Sequence, residues 1–255
     1  SINFLHINHK VIWFAFEKIK SNVEQATRDA KLTYPIALDN DFTTWNNYGV
    51  RFWPSAFLID AEGMVRRVHY GEGEYKETEQ AIRALLKENN KQVPNSMFIK
   101  DDADVPVTEK QTPETYMGSK RAANYAGQTN LFAGQTQPFV PEPNLSKDKW
   151  TLGGIWEITS EKITAKSEGT LRFNISAKEA YLVASSDREQ SISLNLDGKP
   201  ISQTNFAGQN VQNSSVRVKN AQLYKLVKFP EFEEDSILEL TVPAGVSINV
   251  FTFGS

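Results

Sequence analysis

The segment Tyr48-Gly49-Val50-Arg51-Phe52-Trp53-Pro54-Ser55-Ala56-Phe57-Leu58-Ile59-Asp60-Ala61-Glu62-Gly63 constrains the first part of this chain more than any other. Proline has no backbone N–H to give a sheet ladder, so Pro54 marks the entry of a strand and not its interior. Ser55 to Ile59 is short and mostly apolar, the pattern of a strand covered on both faces. Asp60-Ala61-Glu62-Gly63 supplies a tight turn, with Gly63 free to take positive φ. Met64 to Tyr70 then returns as a second strand carrying Val65, Val68 and Tyr70.

The flanks supply helices. Ser21 as N-cap with Glu24 three residues on reads as a capping box. Tyr34 to Asp39 reads as a short strand. Asp41 to Tyr48 reads as a short helix with Asp41 or Thr43 at its cap, closed by Gly49. Tyr75 to Asn89 is the strongest helix: Ala81, Ile82, Leu85 and Leu86 form a stripe, Glu79 and Arg83 pair at i,i+4, and Asn89-Asn90 stops it. Residues 1–13 show no clear period and are only weakly strand-like. This order of elements predicts α/β layers.

Lys91 to Lys110 changes character, with Pro94, Pro106 and Asp101-Asp102-Ala103-Asp104, and reads as a linker. Thr112 to Tyr125 reads as a strap lying against the strand-rich region C-terminal to it. From Leu145 the period becomes two: Leu171, Phe173 and Ile175 alternate, as do Ile192, Leu194 and Leu196. Asp197-Gly198 is a two-residue hairpin signal. Val216 and Val218, Tyr224 to Phe229, Ile237 to Val242 and Val246 to Phe253 continue the pattern. Many short strands with polar turns predict a β-sandwich of jelly-roll type.

Composition excludes several chemistries. A net charge of −3 gives no field to hold nucleic acid. No apolar run approaches the roughly 18 residues that span a bilayer. Cysteine is absent, so this chain holds no disulfide, thiolate ligand or dithiol of its own. Asp39, Asn40 and Asp41 lack metal-ligand spacing and are assigned to turn or cap duty. His69 is expected on a solvent-facing strand position. No serine, histidine and acid set suggests hydrolysis, and no cofactor is expected.

Phe14-Ala15-Phe16-Glu17-Lys18, Tyr34-Pro35-Ile36-Ala37-Leu38-Asp39-Asn40-Asp41, Thr44-Trp45, Trp53-Pro54 and Gly71-Glu72-Gly73 together resemble the extracytoplasmic thioredoxin-like region of DipZ-type thiol:disulfide interchange proteins. Thr112-Pro113-Glu114-Thr115-Tyr116-Met117-Gly118, Leu152-Gly153-Gly154-Ile155-Trp156 and Phe251-Thr252-Phe253-Gly254 resemble the C-terminal β domain that accompanies that region. That domain is itself similar in architecture to carbohydrate-binding modules. The resemblance implies an N-terminally incomplete thioredoxin-like α/β domain at residues 1–91, a linker at 92–110, and a jelly-roll-like sandwich at 111–255. It implies a periplasmic, extracytoplasmic setting, with a disulfide-bearing protein substrate or a membrane electron donor as partner.

The family's proline is cis, which is accessible because the trans preference at X-Pro is only about 0.5–1 kcal/mol. On that basis Trp53 and Pro54 form a substrate-facing loop. Trp45 either lines the same groove or is a core residue of its helix. The family's Cys-x-x-Cys segment has no counterpart, so no catalytic residue is named. The chain is expected to be a C-terminal portion, through truncation, gene degradation or a misassigned start, with an unpaired strand edge in residues 1–91. A second reading is a cysteine-free module that binds glycan or protein. Sugar binding would need exposed aromatic faces with polar neighbours. Trp150, Trp156, Tyr181 and Tyr224 are candidates for it, Trp156 and Tyr224 foremost, near Asn205, Gln209, Asn210, Gln212 and Asn213.

Overall fold

The computed structural model describes residues 3–7, 18–51, 54–71, 73–96 and 110–254. The chain divides into two compact units, Ser1–Val105 and Pro106–Ser255. Most of the expected linker, residues 97–109, lies outside the described residues. No described helix is long and apolar enough to cross a membrane.

In the first unit the described elements are β1 (Asn3–Ile7), α1 (Lys20–Asp29), α2 (Thr43–Asn47), β2 (Ser55–Ile59), β3 (Val65–Tyr70) and α3 (Tyr75–Glu88). β2 is the middle of a three-stranded antiparallel sheet ordered β1-β2-β3. It pairs with β1 from Asn3↔Ile59 to Ile7↔Ser55, and with β3 from Ser55↔Tyr70 to Ile59↔Val65. A middle strand is screened on both edges, and Ser55, Phe57 and Leu58 are buried accordingly. The turn after it forms as the residues dictate. Asp60 Oδ1 accepts the N–H of Glu62 at 3.1 Å and of Met64 at 2.8 Å, and Gly63 sits at φ +86°.

Four expectations in this unit are corrected. Residues 3–7, with no period of their own, form a strand because β2 offers them a full ladder. Both edges of β2 are therefore occupied, and the expected open edge is not found there. α1 begins two residues early: Ile19 is its N-cap, its carbonyl accepts from Asn22 and Val23, and Ser21 makes no capping bond. Residues 34–39 form no strand; Tyr34, Ile36 and Leu38 stay exposed and Pro35 brings no donor. The first turn of α2 is held from upstream, with Asp39 Oδ1 accepting Thr44 N–H at 2.7 Å and Asp39 Oδ2 accepting Trp45 N–H at 2.8 Å. Asp41 Oδ1 accepts the N–H of Thr43, at 3.2 Å. α3 follows its pattern, with Arg83 Nε donating to Glu79 Oε1 at 2.7 Å.

In the second unit the strands are β4 (Thr115–Tyr116), β5 (Gln135–Phe139), β6 (Trp150–Ile158), β7 (Ile163–Ala165), β8 (Gly169–Ser185), β9 (Gln190–Leu196), β10 (Lys199–Pro200), β11 (Val211–Gln212), β12 (Ser215–Val218), β13 (Gln222–Val242) and β14 (Ser247–Gly254). Their pairings run β11-β12-β9-β13-β8-β14-β7-β6-β5, with an added β8–β6 pairing. The long strands make this possible. The first half of β8 lies between the end of β13 and the start of β6, and its second half lies between the start of β13 and β14.

The pattern separates Tyr224–Phe229 from Ile237–Val242; the structure joins them in one strand, β13. Its register against β8 shifts between Lys225 and Val227 and again between Lys228 and Ser236, around Pro230, where a missing N–H is tolerated. The inward residues of the alternating runs, Leu171, Phe173, Ile175, Ile192, Leu194, Leu196, Val216 and Val218, are all buried in one core with Trp150, Trp156 and Phe251. Asp197 at φ +50° and Gly198 at φ +75° close the hairpin that pairs Leu196 with Lys199.

Candidate functional site around Pro54

Pro54 is half-buried at the entry of β2, and its carbonyl accepts the N–H of Gly71 at 2.7 Å. That bond ties the loop entering β2 to the end of β3, where Gly71 turns the chain at φ +91°. Trp53 lies outside the described residues, and with it the peptide bond that precedes Pro54. Trp45 is half-buried and packs with Tyr48 and Ile59 on the small core of Val50 and Phe57. Tyr48 meets Phe57 edge-on at 4.9 Å between ring centroids, and Phe57 meets Tyr70 at 6.4 Å. These rings pack α2 and β3 against the middle strand β2.

Beside the loop lies a charged set that the sequence did not single out. Arg67 and His69, two apart on β3, face the same side, and His69 pairs in register with Ala56. Both converge on one carboxylate oxygen of Glu74: His69 Nδ1 stands 3.2 Å from Glu74 Oε2, and Arg67 Nη2 donates to the same atom. The His69 side chain is 14 % exposed, so it is tucked in and not solvent-facing as expected. The signal missed was Glu74, a non-glycine at φ +49° just before α3, whose side chain is turned back toward β3. Arg66 spans from Asp60 at 3.2 Å to Glu88 at 3.0 Å and ties the hairpin to α3. The N–H of Met64, with help from Arg66 and the N–H of Glu62, holds the Asp60 carboxyl below the usual range. No group of three or more His, Asp or Glu side chains that could hold a metal occurs among the described residues.

The aromatic candidates of the second unit point inward. Trp150 and Trp156 are fully buried, and Trp156 Nε1 donates to the Gly153 carbonyl at 2.9 Å. Tyr224 is 2 % exposed; its hydroxyl donates to the Asn220 carbonyl at 2.8 Å and accepts from Lys219 N–H at 3.2 Å. Neither Trp156 nor Tyr224 presents a ring face for stacking, because both occupy inward positions and their polar atoms are satisfied inside. Tyr181 is half-buried and donates to Glu179.

The quoted motifs of this unit serve its packing. In Leu152-Gly153-Gly154-Ile155-Trp156, a Cβ on Gly154 would sit 2.9 Å from Gly169 Cα, and Gly154 is at φ +93°. In the strap, Met117 is fully buried and its N–H donates to the Asn249 carbonyl at 2.9 Å. The Arg121 guanidinium lies 3.3 Å over the Tyr116 ring.

Comparison with known proteins bears out the resemblance carried by the motifs. The chain is 30 % identical over 228 residues to Protein DipZ of Mycobacterium bovis, and equally to Protein DipZ of Mycobacterium tuberculosis. The match takes in 85 % of this chain and 32 % of each relative, so the chain spans about a third of the length of the curated relatives it matches. A solved structure of a family two carbohydrate esterase from Cellvibrio japonicus is similar at a TM-score of 0.33 and 14 % identity, over 42 % of this chain and 31 % of that one. That likeness is too slight to bear on fold or function. Residues 112–254, more than half of the sequence, match the model of the thioredoxin like C-terminal domain, and the chain belongs to that family.

Proposed function

We propose that this chain is the substrate-presenting part of an extracytoplasmic thiol–disulfide exchange system. The observation that carries the reading is the 30 % identity to DipZ proteins, which extends over 228 residues and so over both units. In such exchange a thiolate attacks one sulfur of the partner disulfide, a mixed disulfide forms, and the other sulfur leaves as a thiolate; a second thiol then resolves the intermediate. This chain has no cysteine, so both thiols come from outside these residues. Its own share is to hold the incoming strand at the Trp53-Pro54 loop, with Trp45 in the supporting floor.

The division into 1–91, 92–110 and 111–255, as a thioredoxin-like α/β layer domain, a linker and a jelly-roll-like sandwich, goes with this reading. So does a disulfide-bearing protein as partner. Glycan recognition by stacking on Trp156 or Tyr224 is not favoured, since both rings are buried.

The test is reduction of a protein disulfide by a longer form that carries a Cys-x-x-Cys dithiol. Pro54→Ala in that form should slow the reaction by about tenfold to a hundredfold while the fold is retained, because the loop positions the attacked disulfide. An unchanged rate would remove the role of Pro54. Absence of any dithiol-dependent reduction would remove the proposal.

A further inference from the structure

Outside the Pro54 region the second unit carries a polar cleft of about 510 Å³, within the usual size of ligand sites. Its chemistry is unusual for so open a surface: the lining includes the amides of Gln209, Gln212, Asn213 and Gln222 and one cation, Arg217. Arg217 lies opposite Ser191 in the β12–β9 ladder and Gln212 lies opposite Ser215 in the β11–β12 ladder. Cross-strand partners share a face, so these four stand in a short grid. Ser215 and Arg217 are two residues apart, about 6.7 Å along the strand, which is also the two-residue repeat of an extended peptide. A primary amide offers an acceptor and two donors, the complement of a peptide group's N–H and C=O.

We infer that this cleft binds an extended, acidic polypeptide segment, with its amides reading the backbone and Arg217 reading a carboxylate. Three features select that ligand. A saccharide is recognised by stacking on an aromatic face, and the one aromatic in the lining, Tyr224, is 2 % exposed. A lone arginine is too little charge for nucleic acid. Arg217 is 75 % exposed and meets Glu189 only at 3.8 Å, so its fork is open to a better carboxylate partner. The choice of a polypeptide rests on the exchange reading, in which the partner is itself a protein.

The experiment uses the whole chain and a labelled, unstructured peptide rich in Asp and Glu but free of cysteine, read by fluorescence anisotropy. Binding is expected, and the double variant Gln212→Ala/Gln222→Ala should weaken it by about tenfold or more at an unchanged melting temperature. Arg217→Ala should abolish the preference for the acidic peptide over one with Lys at the same positions. No binding at ~1 mM peptide, or equal binding by all variants, would overturn the inference. So would binding of a neutral oligosaccharide at this cleft in place of the peptide. Because the peptide holds no sulfur, a failure here leaves the Pro54 reduction assay to decide the exchange reading separately.

Discussion

Thr112 and Ser176 hold each other from both sides: the Thr112 N–H donates to the Ser176 carbonyl at 2.8 Å, and the Ser176 N–H donates to Thr112 Oγ1 at 2.7 Å. The same hydroxyl donates to Asp148 Oδ1 at 2.6 Å. One buried threonine thus fastens the start of the strap to the middle of β8, between the two halves of that strand that pair with different partners. Thr112→Val keeps the branched shape and leaves Ser176 N–H and Asp148 without their partner. It should cost about 2 kcal/mol in denaturant unfolding at unchanged slope. Stability equal to the parent would show that the strap is fastened elsewhere.

Further along the strap, Gly118 lies against backbone: a Cβ there would fall 2.3 Å from the carbonyl carbon of Glu161. Main chain cannot rotate away as a side chain would. Gly118→Ala should cost about 3 kcal/mol. Gly134→Ala meets open space and only a positive φ of 80°, and should cost about 1 kcal/mol. Thermal melts of the two variants should rank in that order.

Trp156→Ala is expected to act on stability and not on recognition. The indole is wholly buried and its N–H is satisfied by Gly153. Its loss should cost about 3–5 kcal/mol. A variant that melts like the parent would contradict the packing described.

Tyr125 gives a prediction of the opposite sign. Its ring packs on Trp150 at 4.8 Å, but its hydroxyl is buried without a hydrogen-bond partner among the described residues, and burial pushes the phenol up to about 12. Tyr125→Phe removes an unsatisfied polar atom and should be neutral or stabilising by about 1 kcal/mol. Loss of stability in that variant would mean that the hydroxyl has a partner in solution.

The β2–β3 turn should respond to acid. The Asp60 carboxyl is held below its ordinary value by the N–H of Met64 first, with Arg66 and the N–H of Glu62 adding to it. A lowered folded-state value means that the stabilisation is present in full above the unfolded pKa of about 3.9 and is lost as pH falls through the folded value. Amide exchange at Glu62 and Met64 should therefore quicken, relative to the intrinsic rate, as pH falls below about 3.9. Asp60→Asn should flatten that dependence, and a profile that Asp60→Asn leaves unchanged would reassign the acid response to another carboxylate.

Where a residue's neighbours in sequence decide its state, the structure was legible beforehand. The two-residue alternation of Leu171, Phe173 and Ile175 became the inner face of β8, Asp197-Gly198 became a turn because both residues tolerate positive φ, and the Glu79–Arg83 pair formed because one helical turn brings the two together. Only the tertiary structure could decide features whose partner lies far along the chain. Residues 3–7 are a strand because β2 has a free ladder for them, while residues 34–39 pair with no strand among the described residues. Asp39 reaches forward to hold α2, Glu74 reaches back to gather Arg67 and His69, and Trp156 turns inward into the core of the second unit. Backbone preference is settled within a few residues, whereas hydrogen-bond partnership and burial depend on which distant segment arrives alongside.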